Sequence, residues 1–279
     1  MFRRAVPRRL IALLAMLAAG TLRGSPVVAQ IDYRNLDEGR PVRTEDAYPV
    51  ERYAFELVLP YEFENVRGPG RSHTVAPELA YGILANAMVG VRLPFAALDE
   101  GAPLETRWGL ADPEAFAFYN FNTEGPALPA LALRADASLP VGNLAGDEVR
   151  GSLTAIATRS WGRTRVHVNA AAGIGPETTD SDDTGAHAIP AWSVSAAIDR
   201  TFLRRSLIVI GEIAVLAGPG DAPTEAGFAF GARMQLTPTF VLDAGINRRL
   251  TSAAGADIGF TVGLSHAFAI AGLMPPGPR

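Results

Sequence analysis

The sequence contains no cysteine and no lysine, and beyond its first thirty residues it has no apolar run of the roughly 20 residues that a membrane-spanning helix needs. Without cysteine there is no disulfide framework and no lipidated N-terminal thiol. The longest later apolar run, 207–218, is interrupted at its centre by Glu212. Without lysine, the side-chain cations are all arginine apart from four histidines. Arginine-lined anion selectivity would explain that bias, but the codon usage of a GC-rich genome explains it more simply. Histidine-based hydrolysis also lacks its residues. None of His73, His167, His187 and His266 is followed two positions later by serine, and no Gly-x-Ser-x-Gly elbow occurs. Asp180, Asp182 and Asp183 open like a calcium loop, but no glutamate completes the twelve-residue pattern. No catalytic residue, metal site or cofactor is therefore expected.

What is present begins with an export signal. Arg3, Arg4, Arg8 and Arg9 precede an apolar run from Leu10 to about Leu22, and Val27 and Ala29 occupy the small-residue positions before Gln30. Residues 1–29 read as a cleaved signal peptide. That segment holds five of the 25 arginines and no acid, so twenty arginines remain against 29 acidic residues. A mature chain with nine excess negative charges does not suit nucleic acid.

Residues 30–50 are polar and aperiodic, an irregular periplasmic leader or a partial plug. From residue 51 a period of two takes over. Tyr53, Phe55, Leu57, Leu59, Tyr61 and Phe63 share one face, with Glu56 and Glu62 on the other. The pattern recurs over 72–83, 87–95, 113–121, 129–140, 148–159, 164–175, 190–201, 207–216, 226–236 and 240–247. It ends over 256–268, where Ile258, Phe260, Val262, Leu264, His266 and Phe268 alternate with small or polar residues. The intervening 96–112 reads as a long loop. About twelve strands result, joined alternately by short turns and longer loops. The bulky face carries almost no charge, and the charges sit among the small residues. A soluble sandwich would charge its exposed face; lipid outside and water inside give the observed pattern. The expected fold is all-β, a transmembrane antiparallel up-and-down barrel over 51–268 with a tail over 269–279. Its strands must close, since lipid tolerates no open sheet edge. Tyr53, Tyr61, Tyr81, Phe95, Tyr119, Trp192, Phe202 and Phe240 fall near strand ends, as interfacial girdles do.

Parity places Glu56, Glu62, Glu78, Arg92, Glu114, Phe116, Phe118, Arg134, Asp136, Arg150, His167, Asp199, Glu212, Arg233 and Asp243 in the lumen. The charged ones are expected mainly to brace the barrel by cross-strand ion pairs, the alternative being charge ladders that orient a solute. Phe116 and Phe118 would narrow the bore or form an apolar step.

Ordered short motifs carry a resemblance along nearly the whole mature chain. They are Arg43-Thr44, Pro77-Glu78-Leu79-Ala80-Tyr81-Gly82, Gly90-Val91-Arg92-Leu93-Pro94, Gly109-Leu110-Ala111-Asp112 and Tyr119-Asn120-Phe121. Pro129-Ala130-Leu131-Ala132-Leu133-Arg134, Ser138-Leu139-Pro140-Val141-Gly142, Leu236-Thr237-Pro238, Leu242-Asp243-Ala244-Gly245 and Gly263-Leu264-Ser265-His266-Ala267-Phe268 follow. With these the chain resembles the outer-membrane β-barrel transporter family named for the MetA-pathway of phenol degradation. Phe116 and Phe118 depart from its usual small or basic lumenal residues. The resemblance implies an outer-membrane channel, in contact with lipid and lipopolysaccharide. The passage of small solutes, small aromatic or partly apolar molecules among them, is an expectation that rests on Phe116 and Phe118 rather than on the family's name. The barrel-assembly machinery would receive the closing strand, 256–268. A lipid-acting enzyme barrel and a structural barrel closed by its lumenal charges are the other two readings.

Overall fold

The computed structural model describes residues 31–66, 70–99, 101, 106–175, 190–202, 206–217, 224–251 and 256–274, with 66 and 256 as backbone. The signal segment, the acidic loop 176–189 with His187, residues 203–205 of the basic turn, most of the loop 217–225 and the end of the tail lie outside these.

Alternation of bulky and small residues builds a single antiparallel sheet that closes on itself. Its segments are β1 (Ala54–Val66), β2 (Arg71–Val75), β3 (Glu78–Leu84), β4 (Ala87–Arg92), β5 (Phe95–Asp99), β6 (Arg107–Leu110), β7 (Glu114–Asn122) and β8 (Ala130–Ser138). After them come β9 (Arg150–Trp161), β10 (Thr164–Ile174), β11 (Trp192–Phe202), β12 (Leu207–Ala217), β13 (Glu225–Thr237), β14 (Phe240–Arg249) and β15 (Ala256–Ala269). The pairs β2/β3, β4/β5 and β6/β7 are halves of interrupted strands, so the wall has twelve strands. Closure is by β1 against β15, in register from Ala54↔Ala269 to Val66↔Ala256 with one irregularity near Val66. That pairing removes both sheet edges. Among the described residues no helix is long and apolar enough to cross a membrane; strands make the crossing.

Side-chain exposure separates the two faces. On β12, Ile208 and Ile210 are 0 % exposed, whereas Ile213 on the other face is 65 % exposed. Val91, Ile198, Phe230 and Ile246 lie in the same outward band. A continuous apolar belt of this size requires lipid around it. The short turns 85–86, 162–163 and 238–239 share one end with the start of β1 and the end of β15, and the longer connections occupy the other. At the short-turn end an aromatic group clusters outside. Phe55 packs on Tyr81 and Phe268 (4.5 and 5.3 Å), and His266 stacks on Phe240 at 4.1 Å. His266 thus tolerates its outward position. Its Nδ1–H donates to the Thr239 carbonyl at 3.1 Å, and its ring faces are covered.

Proline accounts for where the sequence reading needs correction. The strand expected over 72–83 is broken at Ala76-Pro77. The one expected over 87–95 is broken at Pro94 and then continues as β5 instead of ending. Proline lacks the N–H for one bond of each pair. The other bond persists: Leu93 N–H donates to Pro77 O and Ala111 N–H to Pro94 O, both at 2.9 Å. The supposed loop 96–112 therefore contains most of β5 and all of β6, segments too short to display a period. At the start, the wall begins at Ala54 rather than residue 51. Tyr53 adopts φ +67° and turns the chain from the leader into β1.

Candidate functional site: a lumen occupied by the leader

Small inward residues leave a bore wide enough for another stretch of chain, and residues 31–50 lie in it. The leader enters at the short-turn end, where Ile31 N–H donates to Pro238 O (3.0 Å). It reverses through the Asp37–Arg40 bridge and the bends that follow. It then returns to cross Gly82, where a Cβ would collide with the Glu51 carbonyl. Beyond the β1–β15 closure, on β13 and β14, glycine makes the same allowance. A Cβ at Gly231 would stand 2.6 Å from Pro41 Cβ, and one at Gly245 would strike the Pro41 carbonyl oxygen.

The lower part of this arrangement is apolar. Ile31, Leu36, Val42, Ala47 and Val50 of the leader share a buried cluster with Met88, Phe116, Phe118, Ile156, Ile208 and Ile210 of the wall. Burial of this kind is worth about 25 cal/mol per Å².

The polar anchors are numerous and mostly charged. Arg40 Nη1 meets Asp243 at 2.8 Å, and Nη2 meets Asp37 (2.6 Å) and Ser265 (3.0 Å). Arg233 reaches Asp37 at 3.0 Å and the Asn35 carbonyl. Arg165 holds Asp46 (2.9 Å) and Asp199 (2.7 Å). Arg134 lies over the Phe116 ring at 3.9 Å and contacts Glu38 (3.0 Å), Glu45 (3.2 Å) and Asp136 (2.8 Å). Glu212 accepts from the Thr44 N–H (2.5 Å) and hydroxyl (2.7 Å), with Ser195 Oγ 2.8 Å from that hydroxyl. Asn120 donates to Ala47 O at 2.6 Å. Asn169, with its amide oriented to match, pairs with the Glu45 backbone N–H and C=O at 2.8 and 3.0 Å.

One row has the order of a catalytic relay. Asp199 accepts from His167 Nε2–H (2.9 Å), and Thr158 Oγ1 lies 2.9 Å from His167 Nδ1. Thr158 Oγ1 also accepts the Ala47 N–H at 3.0 Å, and both Thr158 and His167 are 0 % exposed. With its hydroxyl proton turned to Nδ1 and its oxygen taken by the leader, this row holds Ala47 in place.

Electrostatics differ among the leader's own groups. Burial drives the Glu45 carboxyl well above its ordinary range, against the pull of Arg134, and raises Asp46 against Arg165. Burial pushes Glu38 the same way, but Arg134, Arg92 and Arg43 outweigh it and hold that carboxyl low. For Arg40 the desolvation that would lower it is exceeded by Asp243 and Asp37, so its guanidinium is held more firmly charged.

Above the leader, toward the long-loop end, the lumen stays open as a cavity of about 500 Å³. The expected lumenal residues accordingly separate by level. Glu62, Arg92, Glu114, Asp136 and Glu212 line this cavity. Phe116, Phe118, Arg134, His167, Asp199, Arg233 and Asp243 are buried at the level of the leader, Glu56 and Glu78 are buried inside the wall, and Arg150 turns to Asp112 at 3.2 Å near the mouth. Several partners of the wall arginines come from the leader rather than from neighbouring strands. Sequence reasoning missed Asp37, Glu38, Arg40, Glu45 and Asp46 for lack of any period in that segment. It also passed over Arg165, although parity had put it on the inner face beside His167. Among the described residues no cluster of three or more His, Asp or Glu has a geometry that could hold a metal ion. The acidic triplet at 180–183 is outside them.

The family model described as "Putative MetA-pathway of phenol degradation" matches residues 52–259. The search of curated proteins found no match. Among solved structures, an outer membrane channel from Pseudomonas putida F1 is similar with a TM-score of 0.62 at 15% identity, covering 84% of this chain and all of that one. The KdgM porin aligns with a TM-score of 0.52 at 10% identity over 76% of this chain and 99% of its own. The NanC porin aligns with a TM-score of 0.52 at 5% identity over 76% and 98%. At these identities the likeness is one of fold, the outer-membrane β-barrel.

Proposed function

The chain belongs to the MetA-pathway phenol-degradation family of outer-membrane barrels, and from that premise we propose that it is a passive channel for small solutes, closed at its short-turn end by its own leader. One observation carries this reading. The lower lumen is occupied by the leader, which is tethered to β1 and docked on the wall side chains by non-covalent contacts, and an open cavity of about 500 Å³ remains above it. A purely structural barrel would fill its bore with wall side chains alone and leave no room for a second segment or a cavity. The longer loops mark the end that faces outside the cell in barrels of this class, so solute would enter the cavity first and pass when the leader yields. Movement of the leader uncovers Phe116, Phe118, Ile156, Ile208 and Ile210, an apolar step suited to small aromatic or partly apolar molecules. No step of this reading is catalytic. The outer belt contacts lipid and lipopolysaccharide, and the closing strand is the segment offered to the barrel-assembly machinery.

The test uses the absence of native cysteine. Thr44 Oγ1 and Ser195 Oγ are 2.8 Å apart, so Thr44→Cys with Ser195→Cys puts two thiols within reach of a disulfide. In planar bilayers the oxidised double variant is expected to lose the larger conductance steps, and reduction to restore them. Equal conductance in both redox states would reject the leader as the gate. No conductance from any form, or phospholipid hydrolysis by the purified protein, would reject the channel itself.

A further inference from the structure

The charges around the open cavity do not cancel. Arg92 is shared between Glu62 (3.4 Å) and Glu114 (3.9 Å). Arg134, just below the floor, is shared among Glu38, Glu45 and Asp136. Arg249 takes Glu225 at 3.0 Å. Two carboxylates are left over. Among the described residues Glu212 is held by the neutral donors of Thr44, and Glu64, two residues after Glu62 on the same face of β1, lines the same space. The remaining guanidinium is Arg43, exposed at the turn of the leader. Arg248 contributes backbone only, because its position on β14 alternates to the outer face. Among the described residues eight lining carboxyl groups thus face four guanidiniums, a formal excess of four acidic groups. A second observation points inward at a missing partner. Glu45 lines the cavity and is only 4 % exposed, yet among the described residues its Oε2 has no hydrogen-bond donor. Protonation of Glu45 lowers the excess by one and does not reverse it.

In a lumen walled by protein and lipid, fields of one sign are focused rather than screened. The carboxylates are spread around the wall instead of converging on one point, which suits a diffuse cation better than a chelated metal. Val42, Ala171, Ala214 and Leu216 supply apolar surface between them. We infer that this cavity is a selectivity vestibule for small organic cations, solutes that join an ammonium or amidinium group to an apolar body. The inference deepens the channel reading and rests on it for its purpose.

The experiment is isothermal titration of the full chain in detergent, with benzyltrimethylammonium and benzoate as matched probes at low and high salt. Saturable binding of the cation and none of benzoate is expected, weakening as salt rises. Glu64→Gln with Glu114→Gln leaves Arg92 its Glu62 partner and should weaken cation binding roughly tenfold. Benzoate binding as tightly as the cation, no binding of the cation, or no effect of the double variant would overturn the inference. Conductance separates this from the channel reading. A protein that conducts without preferring cations loses the inference alone, and one that binds the cation without conducting loses the channel alone.

Discussion

Asp243 has no exposed side-chain surface, and Arg40, itself 2 % exposed, meets it at 2.8 Å. The pair joins the leader to β14 and is the clearest case of a charge that cannot be left alone. Arg40→Met would strand the Asp243 carboxylate in a buried site, a loss of about 3–5 kcal/mol for removing one partner of a buried pair. Adding Asp243→Asn removes the stranded charge. The double variant is therefore expected to recover at least half of that loss, with the shortfall measuring what the pair contributes to docking. Hydrogen exchange at the Thr44 and Ala47 amides reports it directly, because both donate across the leader–wall boundary. Strictly additive losses would mean that Arg40 acts through Asp37 and Ser265 instead.

The leader, taken as an element, responds to pH through carboxyls of opposite behaviour. Glu45 and Asp46 are raised by burial in the docked state, so docked leader binds their protons more tightly than free leader does. Their contribution to docking is complete below the ordinary carboxyl range of about 4 and is lost as pH climbs through the raised values. Glu38 is lowered, so its contribution is present above that range and lost in acid. From mildly acid to neutral pH docking should therefore weaken, by up to about tenfold per pH unit for each proton released. Glu45→Gln should flatten the slope. Maleimide labelling of Leu36→Cys, buried when docked, is the readout. Labelling that slows as pH rises, after correction for thiol reactivity, would contradict the assignment. Elements also divide what could be read from the sequence. The wall was legible because lipid on one side and water on the other impose a period of two on every long strand, and β15 shows it from Ile258 to Phe268. The leader was not, because its contacts are made residue by residue with glycine gaps, with arginines contributed by β8, β10 and β13, and with the Asp243 carboxylate of β14. The interrupted strands were half legible: Pro77, Pro94 and Pro113 show where ladder bonds must fail, but not that the wall continues past them.

At the scale of the whole molecule, wall and leader are unequal partners. The wall closes through the β1–β15 ladder with no help from the leader. The arginines and carboxylates that the leader covers project into a lumen that water can fill once it leaves. Emptying the bore therefore replaces ion pairs with hydration, whereas opening the wall would expose backbone groups to lipid, where each costs several kcal/mol. The leader should then come away as a unit while the barrel stays folded. Gly245→Val isolates that step. Gly245 faces inward on β14, and a Cβ there would strike the Pro41 carbonyl oxygen. Valine is otherwise favoured in a strand, so the wall tolerates what the leader cannot. The variant is expected to keep its far-ultraviolet β-sheet spectrum and its resistance to unfolding in detergent. It should also expose Leu36→Cys to labelling and conduct in larger, longer steps. Loss of the folded barrel would show instead that leader and wall form one cooperative unit, with the charges on the inner face unable to exist without their covering.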